Sequence, residues 1–171
     1  MNLVGQPANR MVMAAQILLA LFLFFLSLGL GSGLYEVRVV YPSWKTDPTP
    51  EDFARRLEES GQARAGRRLW PFISPVSALL AIVNLFLALH RSGPLRAVWL
   101  AAAIAVILKS IATYTYFVPT LIRRLGKAAE MKPEELTRTV RQWTAFSPLR
   151  LCLELFGWVA ALWAWTLLAQ V

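Results

Sequence analysis

Residues 11–35 read MVMAAQILLALFLFFLSLGLGSGLY, an apolar run without a single charged side chain. A bilayer crossing takes roughly 20 apolar residues as a helix, so this stretch is long enough to span one. Three further stretches have the same character: Leu69 to Leu89, Ala97 to Phe117 interrupted by Lys109, and Leu151 to Val171 interrupted by Glu154. The spans are placed at 11–35, 73–90, 96–118 and 149–170, with long connections at 36–72 and 119–148. The predicted fold is an all-α four-helix transmembrane bundle, a single integral membrane domain over residues 1–171 with two long, partly helical loops on one face. The first run is also longer than the ~7 to 15 residues of a signal-peptide core, so it is expected to stay in the mature protein.

Composition agrees. Of 171 residues, 57% are hydrophobic and only 16% charged, and the mean hydropathy is +0.49. Neither a soluble enzyme nor a disordered chain has that balance. No segment outside the spans is large enough to build its own core. The net charge of +8 would point to nucleic acid in a soluble protein. Here the bases flank hydrophobic spans, which makes anionic lipid headgroups the expected partner and nucleic acid not. Cys152 is the only cysteine and His90 the only histidine, so an intrachain disulfide, a thiolate metal cluster and a bis-histidine haem are all excluded.

Four spans put both termini on one face and both long connections on the other. The connections carry Arg38, Lys45, Arg55, Arg56, Arg64, Arg67 and Arg68, then Arg123, Arg124, Lys127, Lys132, Arg138 and Arg141. The terminal face holds Arg10, Arg91 and Arg96. Cytoplasmic loops are enriched in Lys and Arg, so the long connections are expected to be cytoplasmic in a multi-pass protein of the cell membrane. Arg10 beside the first span pulls the other way.

The two connections resemble each other. One reads Pro50-Glu51-Asp52-Phe53 and closes with Ser74-Pro75; the other reads Pro133-Glu134-Glu135-Leu136 and closes with Ser147-Pro148. Proline followed by acids suits a helix start, and Ser-Pro suits the cap and first turn of the next membrane helix. The spans before them end in Tyr41-Pro42 and Val118-Pro119, where proline is expected to stop the helix. Either two repeated helical hairpins or the independent use of common helix starts accounts for the likeness.

Charge inside a span is costly, ~2.5 to 3.5 kcal/mol at the centre, so Lys109 and Glu154 need a reason. At 1.5 Å per residue, Lys109 lies ~12 to 15 Å and Glu154 ~9 Å from the long-connection end of their helices, in the same half of the membrane. Arg150 and Glu154 are four apart on one helical face. Lys109 and Thr113 are likewise, with Tyr116 at the next turn. The spacing predicts a polar cluster of Lys109, Thr113, Tyr116, Arg150 and Glu154, with Glu36 and Arg38 at its rim and Asn84 as its floor. Such a cluster is either a binding or proton-transfer site or a structural bridge locking the bundle. In a functional site Glu154, near two bases, would exchange a proton or orient a substrate oxygen. His90 reads as a solvated helix-end residue, and Trp158, Trp163 and Trp165 as lipid-facing or packing residues. No Gly-rich phosphate loop, metal-ligand spacing or nucleophile elbow is present, and no cofactor is expected.

Gly33-Leu34-Tyr35-Glu36 running into Pro42 and Trp44, the Phe117-Val118-Pro119 exit, and Trp143 with Arg150 before the last span together resemble the anthrone oxygenase-like family of small four-span integral membrane proteins. Most bacterial members of that family are domains of unknown function. The resemblance implies oxidation of a lipophilic aromatic compound without an evident metal or flavin, with Trp143, Arg150 and first-loop residues near the pocket. The family's two asparagines are replaced here by Thr120 or Leu121 and by Ser147.

Three function classes follow. One is a membrane-embedded enzyme or binder of a lipophilic small molecule around Glu154, Lys109 and Arg150. Another is a non-catalytic subunit or scaffold docking a partner membrane protein through Phe53, Leu57, Leu136 and Val140. The third is a transporter, which would need a homo-oligomer to enclose a pathway.

Overall fold

The computed structural model describes residues 6–44 and 49–170, so Lys45 of the basic count lies outside the described residues. Helix α1 (Gln6–Tyr35) continues through a π-helical segment, Glu36–Val40, into the short α2 (Tyr41–Trp44). Helices α3 (Pro50–Glu59) and α4 (Gln62–Leu89) follow. Helix α5 (Gly93–Ala112) runs through a second π-helical segment, Thr113–Ile122, into α6 (Arg123–Leu125). A 3-10 turn at Ala128–Glu130 leads to α7 (Pro133–Leu168). Among the described residues there is no strand, and the all-α bundle is what forms. Four helical stretches are long and apolar enough to cross a membrane: Arg10–Trp44, Arg64–Leu89, Gly93–Leu125 and Pro133–Leu168.

The packing is a closed ring in which α1 and α5 each contact both α4 and α7. Ala15, Leu19, Phe22 and Leu26 recur at helical spacing and bury one face of α1 against Ala81, Trp99, Val106 and Ala161. The opposite face is just as apolar: Met13, Ile17, Leu21, Phe24 and Leu28 are exposed. A helix apolar all round belongs in lipid. Small residues let α5 and α7 approach closely, since a Cβ on Gly157 would stand 2.8 Å from Val106 Cγ2.

A second core closes the long-connection end. Val40, Tyr41, Phe53, Phe117, Leu121, Leu136, Val140 and Trp143 pack together, with Leu57 against them. The two connections thus fold onto each other. Phe53, Leu136 and Val140, read from sequence as a docking stripe, face the chain's own interior.

Several expected helix boundaries are corrected. Pro71 and Pro75 lie inside α4 and Pro148 inside α7, so neither Ser-Pro pair starts a membrane helix. A proline removes one backbone hydrogen bond, whereas breaking the helix in lipid would strand several groups with no water to satisfy them. Pro42 and Pro119 also fail to stop their helices. Pro119 sits within a π-helical segment and Pro42 just after one, where i→i+5 bonding loosens the ladder that a proline ring would otherwise strain. The halves of the chain share these π-helical exits and a proline at the start of the next helix. They differ at Gly61, whose left-handed φ of 69° separates α3 from α4, while α7 runs unbroken. Thr49 caps α3 by accepting a hydrogen bond from the Asp52 amide at 3.2 Å.

Candidate functional site

The polar residues of the spans meet where α1, α5 and α7 converge toward the second core. Lys109 of α5 donates from Nζ to Glu154 Oε1 of α7 at 2.7 Å, and both side chains are only 6% exposed. Helix α1 supplies the space. A Cβ on Gly29 would overlap Glu154 Oε1 and stand 3.0 Å from its Cδ, so any larger residue there must displace that carboxylate.

One turn nearer the long connections, Arg150 is placed differently. Its guanidinium carbon lies 4.3 Å from the centre of the Phe117 ring and 6.0 Å from that of Trp143. Stacking on an aromatic face suits a weakly hydrated guanidinium. Its charge interacts with those of Glu36 and Glu154, yet it forms an ion pair with neither. Glu36 is held by other donors: Trp70 Nε1 to Oε1 at 2.7 Å, and the Tyr41 hydroxyl to Oε2 at 2.7 Å.

What remains is a row of donors. Trp143 Nε1, Ser147 Oγ and Arg150 Nε are all buried and have no hydrogen-bond partner in the protein. Their spacing of four and then three residues puts them on one face of α7. Trp143 and Ser147 lie close to the Tyr41 phenol oxygen without reaching hydrogen-bonding geometry. A cavity of about 20 Å³ opens beside Ser147 and Arg150, lined on its polar side by these two with Glu36, Tyr41, Trp70 and Glu154. Gly33 and Leu151 line it at the seam between α1 and α7. That volume holds a group about the size of one water molecule. Two cations and two carboxylates balance across the site, while its free hydrogen-bonding capacity is donor-rich.

The structure brings together Glu154, Lys109, Arg150, Glu36 and Trp143. It leaves out four residues expected with them. Thr113 is buried beside Lys109, but its hydroxyl donates to the Lys109 carbonyl at 2.8 Å within its own helix. Tyr116 is 37% exposed and packs its ring on Phe117 and Phe146. The α-helical spacing that aligned it with Lys109 is broken by the π-helical segment starting at Thr113. Arg38, in the other π-helical segment, is exposed. Asn84 is the wrong floor: it accepts from Trp99 Nε1 at 2.9 Å and donates to the Leu80 carbonyl at 2.8 Å. At 1.5 Å per residue it lies ~21 Å down α4 from Trp70. The floor is Gly29 with the Lys109–Glu154 pair.

Tyr41, Trp70, Phe117, Ser147 and Gly29 escaped the sequence reading as members of the site. Tyr41 and Phe117 read as span ends and Ser147 as a cap, and nothing local in the chain marks a hydrogen bond spanning the 34 positions from Trp70 to Glu36. His90 is exposed, with Nδ1 2.8 Å from the Phe86 carbonyl, as its reading as a helix-end residue implied. Comparison of the chain with protein-family models, curated proteins and solved structures finds no match.

Proposed function

We propose that this membrane protein binds a lipophilic small molecule by its oxygen-bearing head, which enters between α1 and α7 and accepts hydrogen bonds from the row on α7. The observation that carries this reading is the set of three buried donors, Trp143 Nε1, Ser147 Oγ and Arg150 Nε, without protein partners on one helix face. Such groups normally find an acceptor, because each left unpaired costs ~1 to 3 kcal/mol, and more when charged. Glu36 accepts instead from Trp70 and Tyr41, one donor on each oxygen, and from none of the three. Two features of the surroundings support the reading. Glu36 and Phe117 both sit on π-helical segments, which cluster at functional sites. The apolar seam at Gly33 and Leu151 offers the tail a path that stays in lipid.

Docking of a partner through Phe53, Leu136 and Val140 is the weaker reading, because those side chains are consumed by the second core. The Lys109–Glu154 pair serves in this account as the rigid wall of the site, with Glu154 lining the cavity.

Three probes of one chain length separate head from tail: palmitate, hexadecanol and hexadecane, added to the protein in bilayer nanodiscs while its melting temperature is followed. Palmitate or hexadecanol is expected to raise the melting temperature of the wild type and not that of Arg150→Gln or Ser147→Ala. Equal shifts from hexadecane, or unchanged shifts in both variants, would rule the site out.

A further inference from the structure

The apolar-to-charged boundary at the long-connection end is cationic on three helices at once. On α4, Arg64, Arg67 and Arg68 are exposed immediately above the lipid-facing Leu69 and Phe72. At the end of the second π-helical segment, exposed Ile122 gives way to exposed Arg123 and Arg124. On α7, exposed Arg141 precedes the exposed Phe146 and Leu149. Among the described residues the ion pairs are Arg55 with Asp52 and Glu59, and Lys109 with Glu154, so these six arginines have no carboxylate partner. The exposed acids of this end sit on α3 and around the start of α7, and Glu36, level with Trp70, is held by the Trp70 and Tyr41 donors rather than by an arginine.

The cluster on α4 is also unfavourable by itself. Arg64 lies in the first turn of a helix with no acidic residue there, where the helix dipole repels cations, and Arg67 and Arg68 add like charge three and four residues on. At 1.5 Å per residue three such arginines occupy ~6 Å along the axis, the depth of a single headgroup layer rather than of a bilayer. We infer that this ring is a binding surface for anionic phospholipid headgroups, whose phosphates occupy the plane defined by the three boundaries. The charge is complementary, the plane falls at the apolar boundary of each helix, and the guanidinium fork matches a phosphate. Among the described residues the opposite end offers two exposed arginines, Arg10 and Arg96, against the six here, so the two leaflets are told apart. This surface stands independently of the donor row on α7.

The full-length protein in nanodiscs of equal parts phosphatidylcholine and phosphatidylglycerol tests it, with the lipids retained on release counted by native mass spectrometry. Each arginine near an anionic surface strengthens association about fivefold. Phosphatidylglycerol is therefore expected to be enriched on the wild type. Its enrichment should fall about fivefold or more in R64Q/R67Q/R68Q and in R123Q/R124Q, and stay unchanged in R10Q/R96Q. The two long-connection variants test the ring separately, so a folding defect in one leaves the other decisive. Absence of enrichment on the wild type, equal loss in R10Q/R96Q, or no loss in either long-connection variant overturns the inference.

Discussion

Glu154 shows how a single contact sets the conditions for the site. Its carboxylate is buried against Lys109 at 2.7 Å, and removing one member of such a pair leaves an uncompensated charge in a low-dielectric interior. Glu154→Gln is therefore expected to destabilise the bundle by ~3 to 5 kcal/mol, and Lys109→Met in the same chain to recover most of that loss. Unfolding in mixed micelles measures both; strict additivity would mean that the pair is not an energetic unit. Gly29 gives a sharper contrast. An alanine there must displace the Glu154 carboxylate, and overpacking of this kind costs ~1 to 3 kcal/mol. Gly31, two residues on, has nothing within 4 Å of an added Cβ, so Gly31→Ala should be neutral or stabilising by up to ~1 kcal/mol. If both substitutions behaved alike in a thermal scan, the placement of α1 against Glu154 would be wrong. The sequence disclosed that Lys109 and Glu154 could meet, because helical rise fixes their depth. It was silent on Gly29, since a glycine in an apolar run looks the same whether it faces lipid or a carboxylate.

Among the elements, the π-helical segments decide which side chains reach the site. Membrane spans were legible from apolar length alone, and the amphipathic starts at Pro50 and Pro133 from proline followed by acids. The phase of the polar residues was not. Counting at an α-helical period aligned Tyr116 with Lys109, and the i→i+5 register from Thr113 turned Tyr116 outward and Phe117 under Arg150. Asn84 was noticed for the right reason, as a polar residue in a span, and misplaced because periodicity gives a face and not the neighbour opposite. It ties α4 to α5 and α1, accepting from Trp99 at 2.9 Å and reaching the Leu18 carbonyl at 3.4 Å. Asn84→Ala would leave the Trp99 indole N–H buried and unpaired, at ~1 to 3 kcal/mol. Adding Trp99→Phe to that variant should cost less than Trp99→Phe alone does, as a double-mutant cycle would read directly. Full additivity would place the two side chains in separate environments.

For the whole molecule, the number of spans follows from apolar length, which acts without knowledge of packing, while the side of the long connections is an expectation from charge. Burial of the connections in a second core did not follow, because Phe53, Leu136 and Val140 look alike whether they await a partner or fill their own chain. The orientation is testable on the intact protein. With Cys152 replaced by alanine, a cysteine at Ser92 should react with a membrane-impermeant maleimide added outside whole cells, and one at Ser60 should not. Both serines are exposed, so reversed labelling would place the long connections outside.

The central claim is that the donor row on α7 holds the head of a lipophilic molecule. Native mass spectrometry of the protein released from its own membrane tests it most directly. The account predicts a small lipophilic adduct on the wild type that is lost in Arg150→Gln and weakened in Ser147→Ala. A wild-type chain released without any adduct, or an adduct that persists in Arg150→Gln, would contradict it.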